Sequence, residues 1–449
     1  MKFIFLCMGV LCINSAMGKE VFTKKDIAHY LTLKNPFYYS AIGEKFIYRE
    51  KEKYHLGAFD TKIQAKYDNK EYAVSEGEFL NLGVEKPIDN GIDLSLDYRK
   101  ATGAQEYNNI KTGNEGEVLL GVKIPVFSVI ENINEREYNL NSASIESKKV
   151  TSVTHDNLRM LHYEIIYSYY KLLYYKGVLS LVEDLLTNAK KRKKFISTSV
   201  KNGAMSEISL LEIEQQIINR EQNLISVKNV YESALLEFLK YLNLDVKTFF
   251  KMYSLSSLQN SSHKHKSTKE AIAFALEHRP DLKVFDYDKE KLMLDDQYSN
   301  LLKYPDLKLA LYGSHDIQYG NGFKFALEMD FPVEQSKYRA KNLEIKSSLL
   351  NVEKKTEMKI INIKISVRNI INSLNTLLKN IKKSKSEIRL VEKLEHAENK
   401  KYKLGLSNIF MVNQREVQTL QVKQKLLKYH LDYLILQEEL NKEINAPII

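Results

Sequence analysis

Few residues in this sequence have both the type and the spacing to do chemistry. His263 and His265 flank Lys264 in a serine-rich stretch. Two imidazoles there could touch a metal ion, but no third ligand stands near them in the sequence. The sequence holds no phosphate-cradling loop of the Gly-x-x-x-x-Gly-Lys type, no His-Glu-x-x-His and no nucleophile elbow. "DNGIDLSLD" (Asp89–Asp97) lacks the spacing of a calcium loop. The net charge is +10, yet the lysines lie beside glutamates, as in "EKFIYREKEKY" and "KSKSEIRLVEKLEHAENKK". Solvated helix faces explain that pattern better than a nucleic-acid surface. The expectation is a protein with no catalytic residue, no cofactor, no metal site and no nucleic-acid partner.

The residues with positional meaning are two glycines. "NGAMSEISLLEIEQQI" (Asn202–Ile217) and "LGLSNIFMVNQREV" (Leu404–Val417) each interrupt a long helical pattern at a glycine, Gly203 or Gly405. Reversing a helix requires a residue that tolerates positive φ. With only 7 Pro and 17 Gly in 449 residues, few other turns are available.

These turns need long helices to carry them. Leu158, Leu161, Ile165, Leu172, Leu179, Val182 and Leu186 fall on alternating three- and four-residue steps, with Ser168 and Tyr175 between. Ile363, Val367, Ile370, Leu374, Leu377 and Ile381 repeat the pattern, continuing to Ile388 and Val391. Such spacing lays an apolar seam along one side of a helix. A second stripe (Ile360, Ile371, Leu378) suggests a neighbour on each side, as in a ring of helices. Helical pattern runs over about 132–201 and 207–242, then 335–403 and 409–443. Each long helix would span on the order of 100 Å.

The whole chain reads as two copies of one plan. "TKKDIAHYLTLKNP" (Thr23–Pro36) and "TKEAIAFALEHRP" (Thr268–Pro280) open the copies, with Ile27-Ala28 and Leu31 answering Ile272-Ala273 and Leu276. A helix follows each opening, ending near Tyr54 or Leu302, then strands, a long helix, a glycine turn and a shorter helix. This gives residues 19–243 and 268–449 as two structural repeats, joined by a polar, irregular connector over 244–267.

The strand segments alternate strictly. Phe59, Thr61, Ile63, Ala65 and Tyr67 alternate with Asp60, Lys62, Gln64 and Lys66, and Phe323, Phe325, Leu327, Met329 and Phe331 with Lys324, Ala326, Glu328 and Asp330. Pro305–Gly313 and Glu117–Val126 behave likewise, and Glu78–Lys100 forms a further hairpin candidate about a Pro-Ile-Asp-Asn-Gly turn. About ten residues, apolar on one face and charged on the other, is the pattern of an outer-membrane β-barrel strand. A half-buried strand of a soluble sheet has the same period. The N-terminus points to export: Lys2, an apolar run Phe3–Ile13 and Ala16-Met17-Gly18 describe a signal peptide over residues 1–18. Cys7 and Cys12 lie inside it, so no disulfide is expected in the remainder. No lipid anchor is expected either. No Trp is present, and Tyr67, Tyr98 and Tyr312 are expected at strand ends as an interfacial girdle. The cluster Tyr163, Tyr167, Tyr169, Tyr170, Tyr174, Tyr175 is expected to pack between helices.

Together these features resemble the TolC-type outer-membrane efflux proteins. "ALEHRPDLK" (Ala275–Lys283) and "YKLGLSNIFMVNQREVQTLQVKQKLLKYHLDYLILQEELN" (Tyr402–Asn441) carry the resemblance most specifically. It implies an α+β membrane protein, a trimeric outer-membrane β-barrel continued by a long periplasmic α-helical barrel. Members of the family contribute four strands each to a twelve-stranded barrel. The resemblance further implies a homotrimer in outer-membrane lipid, a periplasmic adaptor and an inner-membrane pump of RND, ABC or MFS type. By it Asn202, Gly203, Ala204 and Ser206, with Leu404, Gly405, Leu406 and Ser407, are the adaptor-docking tips. Ser209, Met411 and Gln414 stand at the periplasmic gate, where relatives often carry acidic residues or their partners, and Ser407 stands where an arginine often closes the link. Closure here is therefore expected to rest on weaker polar and packing contacts. The Glu78–Lys100 hairpin is a second departure: six strands per chain instead of four would give an eighteen-stranded barrel, unless the hairpin sits outside the membrane wall. From another class stands a secreted or surface-attached helical rod without a channel.

Overall fold

The computed structural model describes residues 19–72, 75–103, 111–258 and 267–446. The expected signal segment with its two cysteines and the His263–His265 pair lie outside the described residues. In chain order the elements begin with strand β1 (Glu20–Phe22) and helix α1 (Pro36–Leu56). Four strands follow, β2 (Lys62–Tyr72), β3 (Ser75–Pro87), β4 (Asp93–Gly103) and β5 (Glu117–Pro125). Next come α2 (Val126–Ile130), the long α3 (Glu135–Lys201), α4 (Glu207–Leu242), α5 (Val246–Met252) and β6 (Tyr253–Leu255). The chain continues with α6 (Thr268–His278), α7 (Pro280–Ser299), β7 (Asp306–Asp316), β8 (Gly320–Asp330), α8 (Ser336–Lys403) and α9 (Ile409–Glu443).

These elements group into two units. The first takes the chain up to Tyr39, Arg159–Ala275 and Ile365 onward. Its core includes the seams read from the sequence: Ile165, Ser168, Leu172, Val182, Val367, Ile370 and Leu374 are all buried. Near β1, which pairs in parallel with β6, Phe22 is fully buried among the rings of Tyr169, Phe238, Phe249 and Tyr253, with centroids 5.1–5.6 Å away. Tyr169 Oη donates to the Phe22 carbonyl at 2.8 Å, so this tyrosine packs between elements, as expected of its cluster. The connector differs from expectation. It is not irregular throughout: Asp245 caps α5 by accepting from Thr248 N, and β6 follows directly. The buried Phe249 gives this short helix its anchor. The two copy openings also differ locally, a 3-10 turn over Asp26–Tyr30 against the α-helical α6. Ile27 is buried in the first, whereas Ala271 and Ala275 take the buried positions in the second.

The second unit, Ser40–Leu158 and Leu276–Lys364, is built on one sheet of order β2-β3-β4-β5-β7-β8, antiparallel throughout. The alternation read from the sequence becomes two unlike faces. One row of directly opposed residues is Ile63, Val84, Leu96, Leu120, Gly313 and Phe323. One step along, the other face presents Lys62, Glu85, Ser95, Gly121, Tyr312 and Lys324. The apolar face is the open one: Leu120 is 64% exposed, and its neighbour Leu119 on the polar face is 4% exposed. Crowding of one face and opening of the other is what sheet curvature produces. Tyr98 and Tyr312 do not form an interfacial girdle at strand ends. Both lie within strands: Tyr312 is on the polar face over Gly121, where an added Cβ would meet its ring at 2.5 Å. Tyr98 Oη instead donates to the Glu115 carbonyl at 2.9 Å. Tyr67 is mid-strand and exposed on the apolar face.

From Leu276 on, "ALEHRPDLK" is structural in this unit. Pro280 opens α7, where its missing N–H needs no partner. Buried Arg279 grips Asp281 with two hydrogen bonds, 2.9 and 2.7 Å, and Lys359 of α8 reaches the same carboxylate at 2.7 Å. Burial alone would raise the Asp281 carboxyl, but the two cations hold it far below the usual carboxylate range. No helix among the described residues is long and apolar enough to cross a membrane.

Candidate functional site

The helix reversals expected at Gly203 and Gly405 are present in the first unit, and they share one backbone design. At the end of α3, Gly203 has φ +72; its N–H donates to the Val200 carbonyl at 2.9 Å and Ala204 N–H to Ser199 at 2.8 Å. At the end of α8, Gly405 has φ +73; its N–H donates to Tyr402 at 3.1 Å and Leu406 N–H to Lys401 at 2.9 Å. Both are Schellman closures, in which a left-handed residue lets two amides turn back on orphan carbonyls of the last helical turn. An added Cβ would meet nothing within 4 Å at either glycine. Backbone conformation, and not crowding, is therefore what requires glycine.

The structure brings the two tips together on one core. Leu186, Ala189 and Ile196 of α3, Ile213 and Ile217 of α4, Tyr402 of α8, and Ile409 and Val412 of α9 pack as a single buried cluster. Met205, in the first turn, joins it, and Tyr402 Oη donates to its sulfur at 3.7 Å. Above this core the tip residues face outward. Asn202, Gly203, Ala204, Leu404, Gly405 and Leu406 are exposed, as is Ser206, and Ser407 is half-buried, donating to Glu398. Ser209 and Met411 are half-buried and Gln414 is exposed. Exposed apolar side chains accompany them: Leu404, Leu406 and Phe410 at one tip, Ile208 and Leu211 at the other.

Beneath the tips the structure holds a charge cluster that the sequence reading did not identify. Glu416 of α9 is buried and takes both guanidiniums, Arg192 of α3 (Nη1 to Oε2, 3.0 Å) and Arg220 of α4 (Nη2 to Oε2, 2.9 Å). Arg220 also donates to Asn413 Oδ1 at 2.6 Å and to the Leu185 carbonyl at 2.8 Å. Burial by itself would raise the Glu416 carboxyl; the hydrogen bonds and charges of the two arginines outweigh it and hold the group below its ordinary value. Within the chain, the contacts below the tips therefore go beyond packing and weak polar ones. Three helices from two hairpins are tied by charge-assisted hydrogen bonds, the stronger class. A signal was present: Ile409, Val412, Glu416 and Thr419 are buried on one helical stripe, as are Ile213, Ile217 and Arg220. A charge at a seam position implies a partner charge across the seam.

The fold is that of outer-membrane channels. No family model matches the chain, and no curated protein matches it by sequence. Among solved structures it is similar to the open state of the MtrE outer-membrane channel of Neisseria gonorrhoeae, with a TM-score of 0.71 at 12% identity over 94% of this chain and 88% of that one. The outer-membrane protein VceC of Vibrio cholerae gives 0.69 at 11% identity, over 94% and 96% of the two chains. The CmeC outer-membrane channel of Campylobacter jejuni gives 0.68 at 10% identity, over 97% and 90%.

Proposed function

We propose that this protein is a TolC-type exit duct in the outer membrane of a Gram-negative cell, a homotrimer with a large periplasmic helical portion. It serves a tripartite efflux pump or a type I secretion system. Residues 19–243 and 268–449 act as two structural repeats of one plan. The tips, Asn202–Ser206 and Leu404–Ser407, dock a periplasmic adaptor that couples the duct to an inner-membrane transporter, and passage opens when the helices beneath them separate. The substrate belongs to the transporter.

The observation that carries this reading is the sheet with one open apolar face and one polar face. In water that face would be a large apolar patch; in lipid it is the outer wall of a barrel, with the polar face lining the bore. A helical rod without a channel gives no use for such a face. The exposed leucines beside the tip glycines favour a partner there. The duct reading requires heat-modifiable trimers in outer-membrane fractions and stepwise conductance in planar bilayers. Recovery as a soluble protein without detergent would sink it and leave the rod. For the tips, Gly405→Pro should leave the protein inserted and abolish export, because proline cannot adopt φ +73 and has no N–H for Tyr402. Unchanged export would refute the docking role.

A further inference from the structure

The hairpin β3–β4, absent from the four-strand plan of the resembled family, is indistinguishable from the other strands on the sheet's apolar face. The belt crosses it without a break. On β2 and β3 it consists of Ile63, Ala65 and Tyr67 opposite Val84, Leu82 and Leu80; on β4 and β5, of Leu94, Leu96 and Tyr98 opposite Val122, Leu120 and Val118. On β7 and β8 it is Leu307, Leu309 and Leu311 opposite Met329, Leu327 and Phe325. The belt also drifts against the hydrogen-bonded rows. The row of Ala65, Leu82, Tyr98 and Val118 ends in His315 and Asn321 on the last two strands. An apolar band of constant height must drift in this way when strands tilt against the membrane normal. The drift runs through β3 and β4 as well.

The edges add a constraint. Among the described residues β2 pairs only with β3, and β8 only with β7. Open edges are not tolerated in hydrocarbon, and six strands are fewer than the roughly eight of the smallest barrels. Closure therefore needs further copies. The strand number is even and every pair antiparallel, so β8 runs opposite to β2. A β8 edge then meets the β2 edge of a next copy in the antiparallel sense, and the ring can close head to tail.

We propose that the β3–β4 hairpin is part of the membrane wall, and that three copies close an eighteen-stranded barrel through β8 of one chain against β2 of the next. The number of copies rests on the trimeric duct reading above; the place of the hairpin does not. At a strand spacing of ~4.8 Å and a tilt of ~40°, eighteen strands close at a diameter of roughly 36 Å, against roughly 24 Å for twelve. The hairpin thus sets the width of the outer exit.

Cysteine occurs only at Cys7 and Cys12, so labels placed elsewhere in protein extracted from outer membranes are site-specific. Fluorophores on Leu82→Cys and Leu96→Cys are compared with those on Leu120→Cys and Phe325→Cys, in trimers reconstituted into vesicles of acyl-chain-brominated phosphatidylcholine. The proposal expects the same loss of fluorescence at all four sites and none with aqueous iodide. Quenching of the hairpin sites by iodide alone would overturn it. In a second measurement Gln64→Cys on β2 is paired in turn with Lys324→Cys, Ala326→Cys and Glu328→Cys on β8. Oxidation should produce a covalent trimer for at least one pair. An intrachain disulfide from Gln64→Cys to Leu119→Cys on β5 would mean that the hairpin lies outside a four-strand wall. A detergent-extracted trimer that fails these tests refutes the eighteen-stranded wall alone; a detergent-free soluble monomer refutes the duct reading itself.

Discussion

The two tips reverse a helix with the same backbone and different side chains. Gly203 and Gly405 have φ values of +72 and +73 and the same pair of closing amides. The helices that leave them start differently. α9 begins with Asn408, whose side chain accepts from Met411 N at 2.9 Å, whereas Ser206 before α4 makes no side-chain cap and only nears Ser209 Oγ at 3.4 Å. The second tip also holds Ser407 to Glu398, and its helix α9 carries the buried Glu416. The first tip contributes the arginines that Glu416 satisfies, one from each of its helices. Turn geometry is therefore duplicated, and the polar fastening is not: one hairpin supplies the anion, the other the cations. In the opening proposed above, the link that must give is the one where opposite charges cross between the hairpins.

Breaking that link should give the largest effect. Glu416→Leu leaves the buried Arg220 and the half-buried Arg192 without their carboxylate and should cost about 3–5 kcal/mol of local stability. Amide exchange in α4 and α9 near the tips reads this directly, and unchanged protection would show that the shared apolar core alone joins the hairpins. Changing both arginines to methionine together with Glu416→Leu should recover most of the loss, since an apolar replacement of a buried cluster is often neutral. Next in size, Gly203→Ala and Gly405→Ala should each cost about 1–2 kcal/mol, equally, because no neighbour lies within 4 Å and only the left-handed backbone is penalised. Unequal costs would break the equivalence of the turns. Asn408→Ala should then cost about 1 kcal/mol and Ser206→Ala less than about 0.5 kcal/mol, separating the tips by their caps.

Acid gives the smallest and most specific test. The folded Glu416 carboxyl lies below its unfolded value of about 4.3. Its stabilisation is therefore complete above that value and is lost as pH falls through the lower folded one. Protection near the tips, corrected for intrinsic exchange, should be flat from pH 7 to pH 5 and weaken only below about pH 4. Glu416→Gln should abolish that dependence; a loss of protection near neutrality would point to other groups.

Much of the fold is legible in the sequence because its helices and strands are long and strictly periodic. The expected α4 and α9 ranges agree with Glu207–Leu242 and Ile409–Glu443 to the residue, and the long helices differ only at their starts. At α3 the start is set by Asn134, whose side chain accepts from Arg136 N and Glu137 N, a local bond that periodicity does not report. The connector escapes a reading by composition for a similar reason: its serines mask a seven-residue helix held by Asp245 and Phe249. At the tips, glycine in a helical run exposes the turn, since positive φ is a property of one residue. The charge cluster depends on three residues far apart in the chain, and only their seam positions hinted at it.

Sequence alone determined the alternation of the strands, the seams of the helices and the two reversals, because each follows from local spacing and backbone chemistry. The tertiary structure decided where the β3–β4 hairpin stands, placing it between β2 and β5 in one continuous apolar belt. It also decided that Arg192, Arg220 and Glu416 meet under the tips. Pairing order and charge meetings depend on distances across the chain, and no periodicity within a segment encodes them.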